Sequence, residues 1–366
     1  MNVNCSRAQL RESLRVVAGV VDPRNIKPIL KDIHIRVAND VLEVSATDLE
    51  VGLKYLVRDV EIKKAGGIVV SADVLQGIVN ESRDERLTLQ VEESKLILIG
   101  KGSKYNVVGA PEDEFPEIPD FPEGVCLEVE GAVLREMIDK TIFAVSTERQ
   151  RYALNGVLLS AKEKNAKIEM VGTDGHRLAV IRRKANAAAP ATASAIVSVK
   201  ALHQLQKMIG DEEIVKLSIH ERQILIRTEN AVLVAQLVEG RFPAYKDVIP
   251  DDSDKKLEIL AEDLGNAVRQ AAVVTSGETA AVWITLDKAT MTLESSNPEL
   301  GEARVEMEAK YEGEKIRIRF NPDFLLDGVK AMGKETVRFE MKSASHAAVM
   351  RAGADYLYLL MPIVQE

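Results

Sequence analysis

At 366 residues, 46% hydrophobic and 29% charged, the chain is long enough for two or three cores, and its balance excludes a disordered or fibrous protein. No apolar run reaches the ~18 residues of a membrane helix, Met1 to Leu10 carries no signal or transit pattern, and two distant cysteines, Cys5 and Cys126, exclude a disulfide framework. The net charge of −9 argues against nucleic acid only on average, because binding depends on where the cations sit. A cytoplasmic protein is expected.

In chain order, the first expected helix is CSRAQLRESLRVVAGVV. Arg7, Arg11 and Arg15 recur every four residues on one face, and Leu10, Leu14 and Val17 lie on the neighbouring face. A strand, turn and strand follow in LEVSATDLEVGLKYLV, then a second helix in VSADVLQGIVNES. Gly100-Lys101-Gly102-Ser103-Lys104 lacks the Walker spacing and reads as a hairpin turn. Prolines 111, 116, 119 and 122 stand among acids in PEDEFPEIPDFPEG, which reads as a connector.

The same features then recur. A helix in EGAVLREMIDKTIFAVS precedes strand, turn and strand in IEMVGTDGHRLAVIRR and a helix in VSVKALHQLQKMIG. After a second connector, PDDSDKK at 250–256, come LAEDLGNAVRQAAVVTS, MTLESSNPELGEARVEM and FNPDFLLDGVKAMG. The turn residues Asp48, Asp174 and Asn297 are 126 and 123 apart, and the helix residues Leu75, Leu202 and Leu325 are 127 and 123 apart. Phe115-Pro116, Phe242-Pro243 and Met361-Pro362 each follow an apolar strand near a segment end. A period near 125 exceeds any solenoid repeat, so each unit is domain-sized. We place the domains at 1–124, 125–253 and 254–366, with the alanine-rich stretch at 185–195 as an internal loop. The expected class is α+β: three repeated domains, each with two helices packed on antiparallel sheet.

Basic stripes recur on the helices, as Lys200, His203 and Lys207 and again as Lys330 and Lys334. Arg135, Lys140 and Arg269 are accompanied by acids. Basic helix faces with few aromatics favour sequence-independent phosphate contact over base readout. Asp174 and His176 offer a His–Asp pair, but no nucleophile motif accompanies them, and the five histidines show no metal-ligand spacing. The chain is therefore expected to be non-catalytic, with no cofactor and no metal. A hydrolase using His176 is the enzymatic alternative.

IKPIL (26–30), ATDLE (46–50), RYALNG (151–156), TDGHRLAV (173–180), GRFPAY (240–245) and YLLMP (358–362) carry a resemblance spanning the whole chain. Through them the sequence resembles the bacterial DNA sliding clamps, the beta subunits of DNA polymerase III. The resemblance implies the DNA clamp fold, in which a head-to-tail homodimer makes a six-domain ring with helices lining the hole. It also implies a processivity factor on duplex DNA, bound by polymerase, clamp loader and repair proteins through short peptides, with no membrane partner. The peptide pocket would comprise Leu154, Thr173, Gly175, His176, Arg177, Leu178, Pro243, Val248, Leu359, Met361 and Pro362. DNA contact would fall on Arg24, Arg149, Gln150 and Lys200, with Arg7, Arg11 and Arg15 added from the helix pattern. The dimer interface would use Tyr105, Val273 and Val274. Ala153, where related clamps often carry an aromatic residue, and the acidic tail Ile363-Val364-Gln365-Glu366 depart from the pattern at the pocket rim. With no ATP site, loading would need a separate motor. A monomeric non-specific DNA-binding module of the same fold is the other alternative.

Overall fold

The structure, a computed structural model, describes residues 1–124, 126–148, 150–162, 166–186, 193–277 and 280–364. One order of elements occurs three times: strand, helix, strands, helix, strands. The first repeat holds β1 (Asn2–Ser6), α1 (Arg7–Val17), β2 (Asp32–Ala38), β3 (Val41–Thr47), β4 (Val51–Val57), β5 (Val60–Lys64), β6 (Gly66–Ser71), α2 (Ala72–Glu81), β7 (Arg86–Glu92), β8 (Lys95–Ile99) and β9 (Lys104–Ala110). The second holds β10 (Leu127–Glu130), α3 (Gly131–Asp139), β11 (Gly156–Lys162), β12 (Lys167–Thr173), β13 (Arg177–Lys184), β14 (Ala193–Ser198), α4 (Val199–Met208), β15 (Ile214–Ile219), β16 (Gln223–Arg227) and β17 (Ala231–Gln236). The third holds β18 (Lys255–Leu260), α5 (Ala261–Ala272), β19 (Val282–Asp287), β20 (Thr290–Asn297), β21 (Gly301–Glu308), β22 (Lys310–Glu312), β23 (Ile316–Phe320), α6 (Pro322–Met332), β24 (Thr336–Met341), β25 (Ala348–Ala352) and β26 (Tyr356–Leu360).

Local chemistry explains the recurrence. The second helix of each repeat starts after a capping side chain: Ser71 accepts from Val74 N, Ser198 from Ala201 N, and Asn321 from Asp323 N. Each cap satisfies a backbone donor that the first helical turn leaves open, worth roughly 1 kcal/mol. Leu75, Leu202 and Leu325 are then buried one turn later. The three turns are one structure as well. Asp48 Oδ1 accepts from Glu50 N and Val51 N at 3.0 and 2.8 Å, and Asp174 Oδ1 accepts from His176 N and Arg177 N at 2.8 and 2.9 Å. Asn297 Oδ1 does the same for Glu299 N and Leu300 N at 2.9 and 3.2 Å. A short polar side chain closing its own turn is why Asp or Asn stands at all three positions.

By contact density the chain forms two compact units rather than three. The first unit comprises 1–135, 161–166 and 185–237. Its 13-stranded sheet runs β10-β15-β16-β17-β4-β3-β2-β6-β9-β8-β7-β1-β5, so strands of the first and second repeats form one sheet. The seam is β17 against β4, antiparallel, with Leu233 opposite Leu53. The second unit comprises 136–160, 167–184 and 238–366. There β12, β13, β26, β25, β24, β18 and β22 lie in order, and β21, β20, β19 and β23 form a separate sheet. The seam of this unit is β13 against β26, with Val180 opposite Leu357. In both units the strand after an Asx turn pairs with the last strand of the following repeat. That shared rule explains why compactness does not respect the sequence repeat.

Two sequence expectations are corrected. Lys330 and Lys334 do not share a helix face, because α6 ends at Met332 and Gly333 takes φ +67, a left-handed stop. Arg7 does not extend the stripe of Arg11 and Arg15: its Nη1 donates to Val79 O on α2 at 3.4 Å. Each four-residue step advances the helix face by about 40°, so Arg7 and Arg15 point some 80° apart and Arg7 falls over α2. The proline-rich stretch after β9 also does more than connect. Ile118 is buried against Leu225 and Val234, Phe115 and Phe121 pack beside it, and Lys54 holds Asp120 at 2.6 Å. It is a strap laid on the first unit's sheet.

Candidate binding site

The second Asx turn is the most heavily braced of the three. Thr173 Oγ1 donates to Arg177 O at 2.6 Å and accepts from Gly175 N at 3.1 Å. Gly175 sits at φ +93, where a side chain would be strained and would also meet Arg151. Arg151 Nη1 donates to Asp174 O at 2.8 Å, which ties the short 3-10 turn Tyr152–Leu154 to this turn. From the other side Met361 N donates to His176 O at 2.8 Å, extending the β13–β26 pairing into the tail.

Beneath the turn lies Arg177, its side chain 11% exposed. Its Nε donates to Asp174 Oδ2 at 2.9 Å, Nη1 to Asp327 Oδ2 on α6 at 2.6 Å, and Nη2 to Phe143 O at 2.8 Å. The guanidinium also stacks over Phe324 at 4.4 Å and Phe143 at 5.7 Å. A planar, permanently charged fork is the side chain suited to so many partners at once. Gly328 on α6 is required nearby, because a Cβ there would overlap the Tyr358 ring of β26.

A further segment joins from 240–248. Gly240 lies against Ala153, with room for an added Cβ only at 3.2 Å. The 3-10 turn Tyr245–Val248 is anchored by Tyr245, whose hydroxyl bonds Glu169 on β12. Burial first, and then that bond, push the Tyr245 hydroxyl above its ordinary titration range. Glu169 also pairs with Arg182 on β13 at 2.5 Å.

Four segments distant in sequence are thus tied together, and they carry all eleven residues expected in the pocket. Leu178 and Leu359 are buried as opposite partners in the seam, Thr173 and Pro362 are buried, and Leu154 is half-buried. His176, Pro243, Val248 and Met361 are exposed, Val248 at 55% and Met361 at 42%. Apolar side chains standing in solvent on a rigid base can take an apolar ligand with little reordering. Sequence reading missed Asp327, Phe324 and Tyr245, whose roles depend on α6 and the 240–248 segment folding back onto the turn.

The other expected residues are scattered. Arg24 projects from a loop closed by Asp22 Oδ1 on Arg24 N at 2.9 Å, its side chain 93% exposed. Arg11 and Gln150 are exposed, and Arg149 lies outside the described residues, as do tail residues Gln365 and Glu366. Lys200 is not free, because its ammonium pairs with Asp48 in the first Asx turn. Arg15 is held by Glu12 and donates to Lys207 O at 3.2 Å. Arg135 donates to Gln206 O at 2.8 Å, so two arginines cap the C-terminal end of α4, the end that attracts cations. Tyr105 is exposed on β9, Val273 is 77% exposed just past α5, and Val274 beside it is half-buried.

Comparison with known proteins gives one answer along the whole chain. Family models described as the N-terminal, central and C-terminal domains of the DNA polymerase III beta subunit match residues 1–119, 128–244 and 246–363. The beta sliding clamp of Vibrio cholerae is 30% identical over 370 residues, covering 99% of this chain and 100% of that protein. The solved DNA polymerase III subunit beta of Pseudomonas aeruginosa superposes with a TM-score of 0.94 at 28% identity, covering 100% of both chains. A sliding clamp from Bartonella birtlesii bound to griselimycin superposes at 0.93 with 31% identity, again covering 100% of both.

Proposed function

Because the chain belongs to the bacterial DNA polymerase III beta subunit family, the sliding clamps, we propose that two copies close head to tail into a ring around duplex DNA. Sliding clamps are non-catalytic processivity factors, with DNA and polymerase as partners. The single observation that carries ring closure is the seam rule. In the first unit β4 pairs with β17, and in the second β13 pairs with β26. Repeated once more, the rule asks β21 of the third repeat to pair with the equivalent of β17 and β26 in a first repeat, which is β9. In one chain β21 is the outer strand of its sheet, and β9 is bridged to β6 only at Gly109 and Ala110. Unpaired edges invite strand addition. A second copy supplies the missing partner at both ends, and a heterologous contact that closes in two steps makes a ring.

We assign the domains to 1–124, 125–253 and 254–366, and the ring interface to Tyr105, Val273 and Val274 beside the two edges. DNA contact falls on Arg24, Arg149 and Gln150 with Arg11, on Lys200 where a phosphate displaces Asp48, and less on Arg7 and Arg15, which serve the chain's own carbonyls. Arg24→Ala should lower the slope of log affinity against log salt by about one, as expected for one lost phosphate contact. Arg15→Ala should leave that slope nearly unchanged and instead lower stability by roughly 1 kcal/mol, its half-exposed ion pair being screened. A salt titration and a urea melt of each variant distinguish the two roles.

The braced turn with Leu154, Pro243, Val248, Leu359, Met361 and Pro362 is proposed as the pocket for partner peptides. Such partners would be the polymerase, the clamp loader and repair proteins in the cytoplasm. Met361 supplies a deformable apolar wall. Met361→Ala combined with His176→Ala should weaken a fluorescent polymerase-derived peptide by roughly tenfold or more without moving the melting midpoint. Griselimycin, the ligand of the Bartonella clamp, should compete for the same site. An unchanged affinity would remove the pocket from this surface.

The deciding experiment for the ring is retention on nicked circular duplex DNA, loaded with a clamp loader and ATP, before and after linearisation. Retention on circles with loss from linear ends is the expected result. Equal retention on both would mean direct binding without encirclement, as a monomeric module would show.

A further inference from the structure

Arg338 on β24 and Arg351 on β25 stand directly opposite each other. Like charges in that position repel. Here one carboxylate, Glu340, lies between them, 2.7 Å from Arg338 Nε and 2.9 Å from Arg351 Nε. Glu340 itself is buried, so the two guanidiniums are held from below. The shortest contact of each guanidinium to that carboxylate is made through its Nε. Lys256 on β18 stands opposite Glu340 in the next register and lines the same cleft. The open cleft holds about 350 Å³ and is also lined by Ser253 and Gly353. Ser253 Oγ is buried there with no hydrogen-bond partner. Of the neighbouring acids, Glu258 stands opposite Arg338 but pairs with Lys310, and Asp252 pairs with Lys342. Asp251 remains as an exposed carboxylate on the rim.

Three cations stand around one buried carboxylate in the floor of the cleft. We propose that this cleft is a binding site for a phosphate-type oxyanion, held by Arg338, Arg351, Lys256 and the Ser253 hydroxyl. A planar carboxylate has two oxygens to offer, whereas a tetrahedral oxyanion has one for each of the four donor groups. Two guanidinium forks suit it, because their planar donors match phosphate oxygens pairwise. The site is independent of the DNA and peptide readings, since it is built from β18, β24, β25 and Ser253 just before β18.

The test is calorimetric titration of the full-length protein with inorganic phosphate, against chloride at matched ionic strength and neutral pH. Saturable binding that chloride does not reproduce is expected, weakened about tenfold or more in Arg351→Gln. That variant also removes a partner from buried Glu340, so Lys256→Gln, which leaves the Glu340 pairs intact, is measured beside it and should weaken phosphate several-fold. A nucleoside monophosphate forms the second arm. Equal affinity would assign recognition to the free phosphate group, and tighter binding of the nucleotide would assign it to a phosphorylated carrier. Phosphate heats equal to those of chloride, or binding unchanged in both variants, would overturn the site.

Discussion

Val273→Asp is expected to convert the proposed dimer into monomers and to abolish retention on circular DNA while leaving the fold intact. Val273 stands 77% exposed at the end of α5, the helix packed against β21, so it touches no core that a charge could disrupt. In the proposed ring it is covered by the end of a second copy that carries Tyr105 and Val108, exposed at 39% and 75%. A carboxylate placed in that contact has no partner, and both the lost apolar burial and the desolvation oppose association. Together they amount to roughly 3 kcal/mol or more, about a hundredfold in the dimer dissociation constant. Sedimentation at micromolar concentration reads the mass directly. Val364→Asp, at another exposed apolar residue in the tail, is the control and should leave the mass unchanged. A Val273→Asp protein that still sediments as a dimer would remove this surface from the interface.

The second large effect is on stability. Arg177→Ala should cost about 3–5 kcal/mol, the usual consequence of deleting one member of a buried, hydrogen-bonded ion pair. Removing the guanidinium leaves Asp174, a mostly buried carboxylate, without its countercharge, and Phe143 O without its donor. It also strips the cation from between two aromatic rings. Arg177→Lys should recover only part of the loss, because a single ammonium cannot reach Asp174, Asp327 and Phe143 O together. Asp327→Asn should cost much less, since its carboxylate is 43% exposed and screened by water. Chemical unfolding of the three variants gives the order. If Arg177→Ala unfolds at the wild-type midpoint, the cluster is not what holds the turn to α6, and the rigidity argued for the peptide site loses its basis.

Much of this molecule can be read along the chain because its determinants are local. The threefold order of elements follows from period-2 and helical apolar patterns, from capping serines and asparagine, and from Asx turns at Asp48, Asp174 and Asn297, all acting within about four residues. The resemblance carried by TDGHRLAV and GRFP reached the family through the same local segments. Reading by local pattern also explains the failures. Lys334 fits a helical spacing that Gly333 interrupts, and Arg7 fits a stripe whose slow rotation turns it onto α2.

What only the tertiary structure decided depends on partners far apart in sequence. Leu53 meets Leu233, Val180 meets Leu357 and Arg177 meets Asp327 across chain separations that no periodicity encodes. The same holds for Lys200, a basic-stripe residue by spacing that the fold commits to Asp48, and for the proline-rich strap that Ile118 anchors. Helices and turns are chosen by neighbours a few residues away, so the sequence by itself determined them. Strand seams and charge pairing are chosen by which surfaces are left unburied once those elements exist. It took the folded chain to show that β21 is left as an outer strand and that β9 meets β6 only at Gly109 and Ala110.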